Sequence, residues 1–243
     1  KKINVVLCEG PYMAKSIEKL GCPPNKIKVH HLGVEIDSIQ FQPREYSTKI
    51  SLKVLMVGSF KEKKGFPDAL RALGKLNNDI ELQITIIGDA DYKEKNQREK
   101  KIMIDVAKKN GIYSKINWLG YQSHSTLMEL AYKNHIFLSP SKIAEDGDSE
   151  GGAPVSIIEM VATGMPIVST IHCDIPNVII NNETGLLSEE GDVNQIYNNL
   201  LWLIRNPSKW GTILSAGRKH VEQNFNAVKQ GELLANIYES LLI

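Results

Sequence analysis

Residues 139–170 read SPSKIAEDGDSEGGAPVSIIEMVATGMPIVST, and within them Glu150 and Glu159 flank a Gly151-Gly152-Ala153-Pro154 step into an apolar run. Pro154 suits the first position of a helix, where a missing N–H costs nothing, and Gly164 followed by Pro166 is a stop signal, so a helix is predicted over 154–163. Val155, Ile157, Ile158, Met160, Val161 and Ala162 surround most of its circumference, which predicts burial on nearly all sides. Glu159 is its only charge. A carboxylate on such a helix is costly unless it is satisfied: the two hydroxyls of a ribose diol would do so, and so would a structural arginine or a backbone amide. Gly151 and Gly152 remove side chains that would keep a ligand away from N–H groups at the positive helix end. Phosphate fits such a place, although a plain turn also calls for glycine.

Working outward, short β-branched runs at 52–57, 82–87, 115–119, 135–138, 167–170 and 185–187 are predicted strands. Helical patterns fall between them at 65–76, 94–110, 123–132 and 154–163. This alternation predicts an α/β fold, a doubly wound, Rossmann-like parallel sheet of about six strands with helices on both faces. Ligands of such sheets bind at the carboxyl ends of the strands, so the loops of interest are 58–64, 88–92, 120–124, 140–153 and 172–176. The end of the chain reads as a helical tail: 192–205, 207–224 and 227–242. The first fifty residues offer only strands at 3–8 and 27–31, a helix at 13–20 and a loop from 43 to 48, too little to bury a core alone. They read as the tail of a preceding domain. The start at Lys1-Lys2, without methionine and followed at once by an apolar run, suggests a piece of a longer protein.

At 243 residues, with 42% apolar and 23% charged residues, the composition is that of a soluble globular protein with room for more than one core. A formal net charge of +1 provides no field that would draw nucleic acid. The lysines of 93–109 read as the solvated face of a helix, with a membrane-surface role as the weaker alternative. Cys8, Cys22 and Cys173 are widely spaced and form no Cys-x-x-Cys pair, which points to a reducing compartment and no zinc site. No apolar run approaches the ~20 residues that cross a bilayer. A cytoplasmic location is expected, at the inner face of the membrane if association is peripheral.

Four segments together resemble a known family. They are Val29-His30-His31-Leu32-Gly33-Val34-Glu35 with Phe41 after it; Val57-Gly58-Ser59-Phe60-Lys61-Glu62-Lys63-Lys64-Gly65; Pro140-Ser141 through Pro166-Ile167-Val168; and Asn182-Glu183-Thr184-Gly185-Leu186-Leu187. They resemble the interdomain crossing, the diphosphate loop, the paired-glutamate donor motif and the following turn of retaining family-four-type glycosyltransferases of the GT-B fold. From about residue 3 onward the chain is similar to their carboxy-terminal, donor-binding half. The resemblance implies that 1–49 is the tail of the amino-terminal domain and the crossing, 50–225 the nucleotide-sugar-binding domain, and 226–243 a helix that packs back onto the amino-terminal domain.

By the same resemblance, Glu159 holds the ribose diol and Glu150 takes a hydroxyl of the transferred sugar. Lys64 neutralises the diphosphate, where charge accumulates as the glycosidic bond breaks. Gly58 and Ser59 line the donor, as do the backbone groups of Gly151, Gly152, Ala153, Pro154 and Val155. Glu150 and Lys64 would carry the catalytic roles; no metal and no cofactor are implied, since the UDP- or GDP-sugar is a substrate. The acceptor, a carbohydrate or a lipid-linked sugar in polysaccharide biosynthesis, would meet the amino-terminal domain, so this chain alone should bind donor and barely react.

Two features depart from the family pattern. Eight residues, 151–158, separate the glutamates where the family has seven, and Ser59 stands where an arginine is usual, leaving Lys61 or Lys63 to supply its charge. His124 lines the base pocket or is a surface histidine, and His172 is read as structural. Asp146 and Asp148 read as solvated loop. Three other functions remain open: a noncatalytic nucleotide-sugar-binding module, a GT-B phosphorylase or epimerase, and a glycoside hydrolase using Glu150 and Glu159. Against the last stand the burial of Glu159 and the sheet pattern.

Overall fold

The computed structural model describes residues 3–242. In chain order the elements are β1 (Val6–Cys8), α1 (Pro11–Lys19), β2 (Ile27–Val29), β3 (Leu52–Val57), α2 (Phe66–Leu76), β4 (Leu82–Ile87), α3 (Glu94–Lys109), β5 (Ile116–Trp118), α4 (His124–Lys133), β6 (Ile136–Ser139), α5 (Val155–Ala162), β7 (Ile167–Thr170), α6 (Ile175–Val178), β8 (Leu186–Ser188), α7 (Val193–Arg205), α8 (Trp210–Asn224) and α9 (Ala227–Glu239). Every predicted strand and helix is present, with ends moved by a few residues; the short α6 was not expected. The Lys1-Lys2 start lies outside the described residues.

β3 to β8 form one parallel sheet in the order β5-β4-β3-β6-β7-β8. β6 and β7 are buried at every position, as suits strands covered on both faces. Side chains alternate along β3. Leu52, Val54 and Met56 enter a core with α2, α3 and α7, while Leu55 faces a second core with α5 and α8. The strand order reverses at the β3–β6 pair: β4 and β5 extend the sheet on one side, β7 and β8 on the other. The crevice at the carboxyl ends of β3 and β6 is therefore the switch point of the fold, where such sheets bind ligands.

The segment between β2 and β3 is anchored by two arginines. Arg44, only 6% exposed, donates to the carbonyls of Asn134 (3.2 Å), Ala131 (2.9 Å) and Thr163 (3.0 Å) and to that of Gln42. These carbonyls include the ends of α4 and α5, where a cation is favoured by the helix dipole. Arg218 likewise donates to Ile39 and Ala162, each at 2.8 Å, and to Ile36 at 3.2 Å.

β1 and β2 pair with each other in parallel, apart from the main sheet. No residue of α1 is buried. Val34 runs beside the start of α9, with backbone bonds to Phe225 O (2.8 Å) and from Ala227 N (2.9 Å). α9 itself buries only Gln230. Leu233, and Leu241 just beyond the helix, are exposed, whereas Leu234 and Ile237 are half-buried.

Candidate functional site

The loop after β3 ends in a single 3-10 turn, Glu62–Lys64, closed by Gly65 at φ 62°. A Cβ at Gly65 would sit 1.9 Å from the Pro140 carbonyl oxygen, so a side chain here would hold the β3 and β6 loops apart. With glycine the two loops are joined along their length. Lys142 N–H donates to Lys63 O at 2.8 Å, and Glu145 N–H to Glu62 Oε1 at 3.1 Å. Lys63 Nζ donates to Ser149 O at 2.7 Å and Asp148 Oδ1 at 3.1 Å.

The last of these contacts is an ion pair. Lys64 Nζ lies 2.7 Å from Glu150 Oε1, the side chains being 17% and 9% exposed, and Ser141 Oγ donates to the same oxygen at 2.8 Å. The eight-residue spacing thus leaves Glu150 within reach of Lys64; Gly151 takes up a left-handed conformation at φ 77° just after it. Gly58 lies against Lys64, since a Cβ there would meet Lys64 Cε at 3.2 Å. The Ser59 side chain makes no hydrogen bond among the described residues. Lys61 has no ion-pair partner among them either, whereas Lys63 is engaged by Asp148 and Ser149.

Behind Glu150 the loop after β7 supplies a histidine. His172 is fully buried, accepts the Glu150 N–H at Nε2 (3.1 Å) and meets Glu190 Oε1 with Nδ1 (2.6 Å). A neutral ring carrying its proton on Nδ1 satisfies both contacts. Burial disfavours the imidazolium, but Cys173 Sγ at 3.2 Å and the Glu190 carboxylate outweigh it and raise the proton affinity of the ring. Burial likewise opposes the Cys173 thiolate, and the His172 contact overcomes it, bringing the thiol below its usual range. The structural reading of His172 matches this position.

Glu159 occupies the second turn of α5. Its side chain is 12% exposed, and its Oε1 lies 2.8 Å from Nε2 of His124, the 66% exposed first residue of α4. Neither an arginine nor a backbone amide satisfies it among the described residues. Pro154 differs slightly from expectation: its ψ of 129° is extended, so it caps α5 and the helix begins at Val155. Asp146 and Asp148 are taken up by Lys95 (2.6 Å) and Lys63. No group of three or more candidate metal ligands occurs among the described residues.

Three contributors were not legible in the sequence. Ser141 lies in the opening stretch but carries no signal of its contact with Glu150. Asp174, 2% exposed, accepts the N–H groups of Tyr12 (2.7 Å) and Met13 (3.3 Å), capping α1 from the loop after β7. The helix expected at 13–20 begins two residues earlier, at Pro11, and nothing in the local sequence identifies that distant cap. Glu9, just before Gly10, reaches Gly152.

The profile of the family described as "Glycosyl transferases group 1" matches residues 37–220. The amylovoran biosynthesis glycosyltransferase AmsK of Erwinia amylovora is 31% identical over 223 residues, which are 91% of this chain and 53% of that protein. Among solved structures, Anabaena Alr3699/HepE in complex with UDP-glucose superposes with a TM-score of 0.85 at 18% identity, over 98% of this chain and 64% of that one. The C-terminal domain of LpcC, a glycosyl transferase group 1 family protein from Francisella tularensis, does so with a TM-score of 0.66 at 20% identity, over 80% of this chain and 99% of that domain. These two likenesses are of fold. The chain spans about half the length of the curated relatives it matches.

Proposed function

The chain belongs to the group 1 glycosyl transferases, and from that premise we propose that it is the donor-binding half of an enzyme that moves a sugar from a nucleotide diphosphate to a carbohydrate or lipid-linked acceptor, with retention of configuration. The observation that carries this reading is the Lys64–Glu150 pair, which joins the two loops at the switch point of the sheet. In the free chain the two charges satisfy each other. When donor binds, the diphosphate takes the Lys64 ammonium, which stabilises the charge gathering on the leaving group. Glu150 is then released to accept a hydroxyl of the transferred sugar.

Glu159 takes the ribose diol, with His124 at the edge of the same site. The backbone of 151–155, leading into α5, faces the phosphates. Ser59 supplies no charge beside them, and Lys61 is the cation available to do so. The likeness to the HepE complex with UDP-glucose supports a nucleotide-sugar donor; UDP- and GDP-sugars are the two classes to test. AmsK, named for amylovoran biosynthesis, supports a role in polysaccharide biosynthesis.

In this reading residues 1–49 complete an amino-terminal acceptor domain, 50–225 hold the donor, and the exposed Leu233 and Tyr238 of α9, with Leu241 just after it, pack on that first domain. No helix among the described residues is long and apolar enough to cross a membrane. A place in the cytoplasm, at the inner face of the membrane when the acceptor is lipid-linked, follows from the reading.

Calorimetry or ligand-observed NMR with UDP, GDP and their sugars tests it. Binding that is lost in Glu159→Ala supports the reading; absence of any binding, or binding indifferent to that substitution, overturns it. The serine at position 59 favours a second reading, a noncatalytic nucleotide-sugar-binding module. A full-length protein that binds donor tightly but neither hydrolyses nor transfers it would select that one.

A further inference from the structure

Glu9 lies in the turn between β1 and α1, between two buried residues, Cys8 and Gly10. Its backbone is held on both sides. His31 Nδ1 donates to Glu9 O at 2.8 Å while the His31 ring lies 4.8 Å from that of Phe225. On the other side Gly10 packs so closely on Asp174 that a Cβ there would fall 2.2 Å from the Asp174 Cγ. The side chain between these two anchors is directed at the step into α5: a Cβ at Gly152 would lie 2.2 Å from Glu9 Oε2 and 3.2 Å from Glu9 Cβ. Gly152 has no left-handed φ, so what its missing side chain provides is room, and the Glu9 carboxylate occupies that room.

The Glu9 carboxylate has no hydrogen-bond or ion-pair partner among the described residues, although the residue is only partly exposed. Glu150, two positions before Gly152, has both Lys64 and Ser141 on its own carboxylate. A partly enclosed carboxylate without protein donors keeps its lone pairs free to accept hydrogen bonds, and it repels phosphate. Uncharged groups rich in hydroxyls are what such a place favours. Lys64 draws the diphosphate to one end of the Gly151-Gly152 step, and Glu9 offers an acceptor of hydrogen bonds over it.

We propose that Glu9 binds a hydroxyl of the transferred sugar, so that Glu9 and Glu150 hold the sugar between two carboxylates supplied by distant parts of the chain. The proposal rests on the donor-site reading above and adds to it a specificity-determining residue from outside the main sheet. Sugars that present a hydroxyl to Glu9 are selected over deoxy analogues, because a carboxylate left without its donor carries the cost of desolvation.

The test is calorimetry on the 243-residue chain and its Glu9→Gln variant with UDP, GDP, UDP-glucose, UDP-galactose, UDP-N-acetylglucosamine and GDP-mannose. The sugar nucleotide that binds most tightly should lose about tenfold in affinity in Glu9→Gln, while the matching nucleotide diphosphate changes less than about twofold. Gly152→Ala, which displaces Glu9, should reproduce the loss of the sugar's contribution, and the double variant should add nothing further. Equal weakening of nucleotide and sugar nucleotide, or a sugar contribution untouched by Glu9→Gln, overturns the proposal. An unchanged donor affinity with a raised acceptor KM in the full-length enzyme assigns the hydroxyl to the acceptor and overturns it too. If the chain binds nucleotide through Glu159 but ignores Glu9→Gln, only this proposal falls; if it binds no nucleotide at all, the donor-site reading falls with it.

Discussion

Lys64 Nζ sits 2.7 Å from Glu150 Oε1, an ion pair that ties the loop after β3 to the loop after β6 beside the other contacts between them. Both side chains are largely shielded from water, so removing either strands a charge. Lys64→Ala should destabilise the fold by about 3 kcal/mol, more than the double variant Lys64→Met/Glu150→Gln, in which no charge is left over. Urea unfolding of the three proteins checks the order. Neither variant should retain measurable affinity for a nucleotide diphosphate.

Glu159 is mostly covered and has one exposed partner, His124. If that carboxylate takes the ribose diol, removing a hydroxyl from the ligand and removing the carboxylate are the same loss. UDP or GDP should bind the wild-type chain about ten- to a hundredfold more tightly than the 2′-deoxy nucleotide, and Glu159→Ala should abolish the difference. Calorimetry on the four combinations reads the coupling. His124→Ala should have the smaller effect, because its ring is largely in water.

Arg44 is a buried cation whose value as an anchor comes from its shape. Burial lowers its pKa to about 10, yet its guanidinium reaches carbonyls on α4, α5 and its own segment at once. Arg44→Ala should lower the unfolding free energy by about 3 kcal/mol, and Arg44→Lys should recover little of it, since an ammonium cannot span those acceptors. Denaturant midpoints for both variants decide this.

Glu99 on α3 is 7% exposed, and its Oε1 has no partner. Burial pushes its carboxyl above the usual glutamate range; Lys142 and Arg71 oppose the shift, and Glu62 and Asp68 add to it. A folded-state pKa above the unfolded one stabilises the fold at pH below the ordinary glutamate value and loses that contribution as pH rises through the raised value. Glu99→Gln should therefore melt higher than wild type near about pH 7 and converge with it near about pH 4. Thermal melts at the two values that show no gap near about pH 7 closing toward about pH 4 would refute the assignment.

Much of the fold could be read directly from residue pattern. The runs of β4 and β7 are rich in β-branched residues, those of β3 and β6 are mostly apolar, and helix signals such as Pro154 and Gly164 bracket α5, because local sterics and burial act on neighbours in sequence. The pairing of Glu150 with Lys64 was approachable through the family resemblance, which aligns both with the donor. Arg44, Ser141 and Asp174 were not approachable. Each acts on residues far away in the chain: Asp174 accepts from Tyr12, 162 residues earlier, and Arg44 donates to Thr163, 119 residues later.

The sequence by itself determined the alternating strands and helices, the buried apolar helix with one carboxylate, and the glycines that prepare its start. Only the tertiary structure decided which charges meet. Local conformation depends on each residue and its near neighbours, whereas an ion pair depends on the sheet order that sets the β3 and β6 loops side by side. Glu9 shows the difference most clearly: in sequence it is a glutamate before Gly-Pro, and in space it occupies the room that Gly152 leaves open.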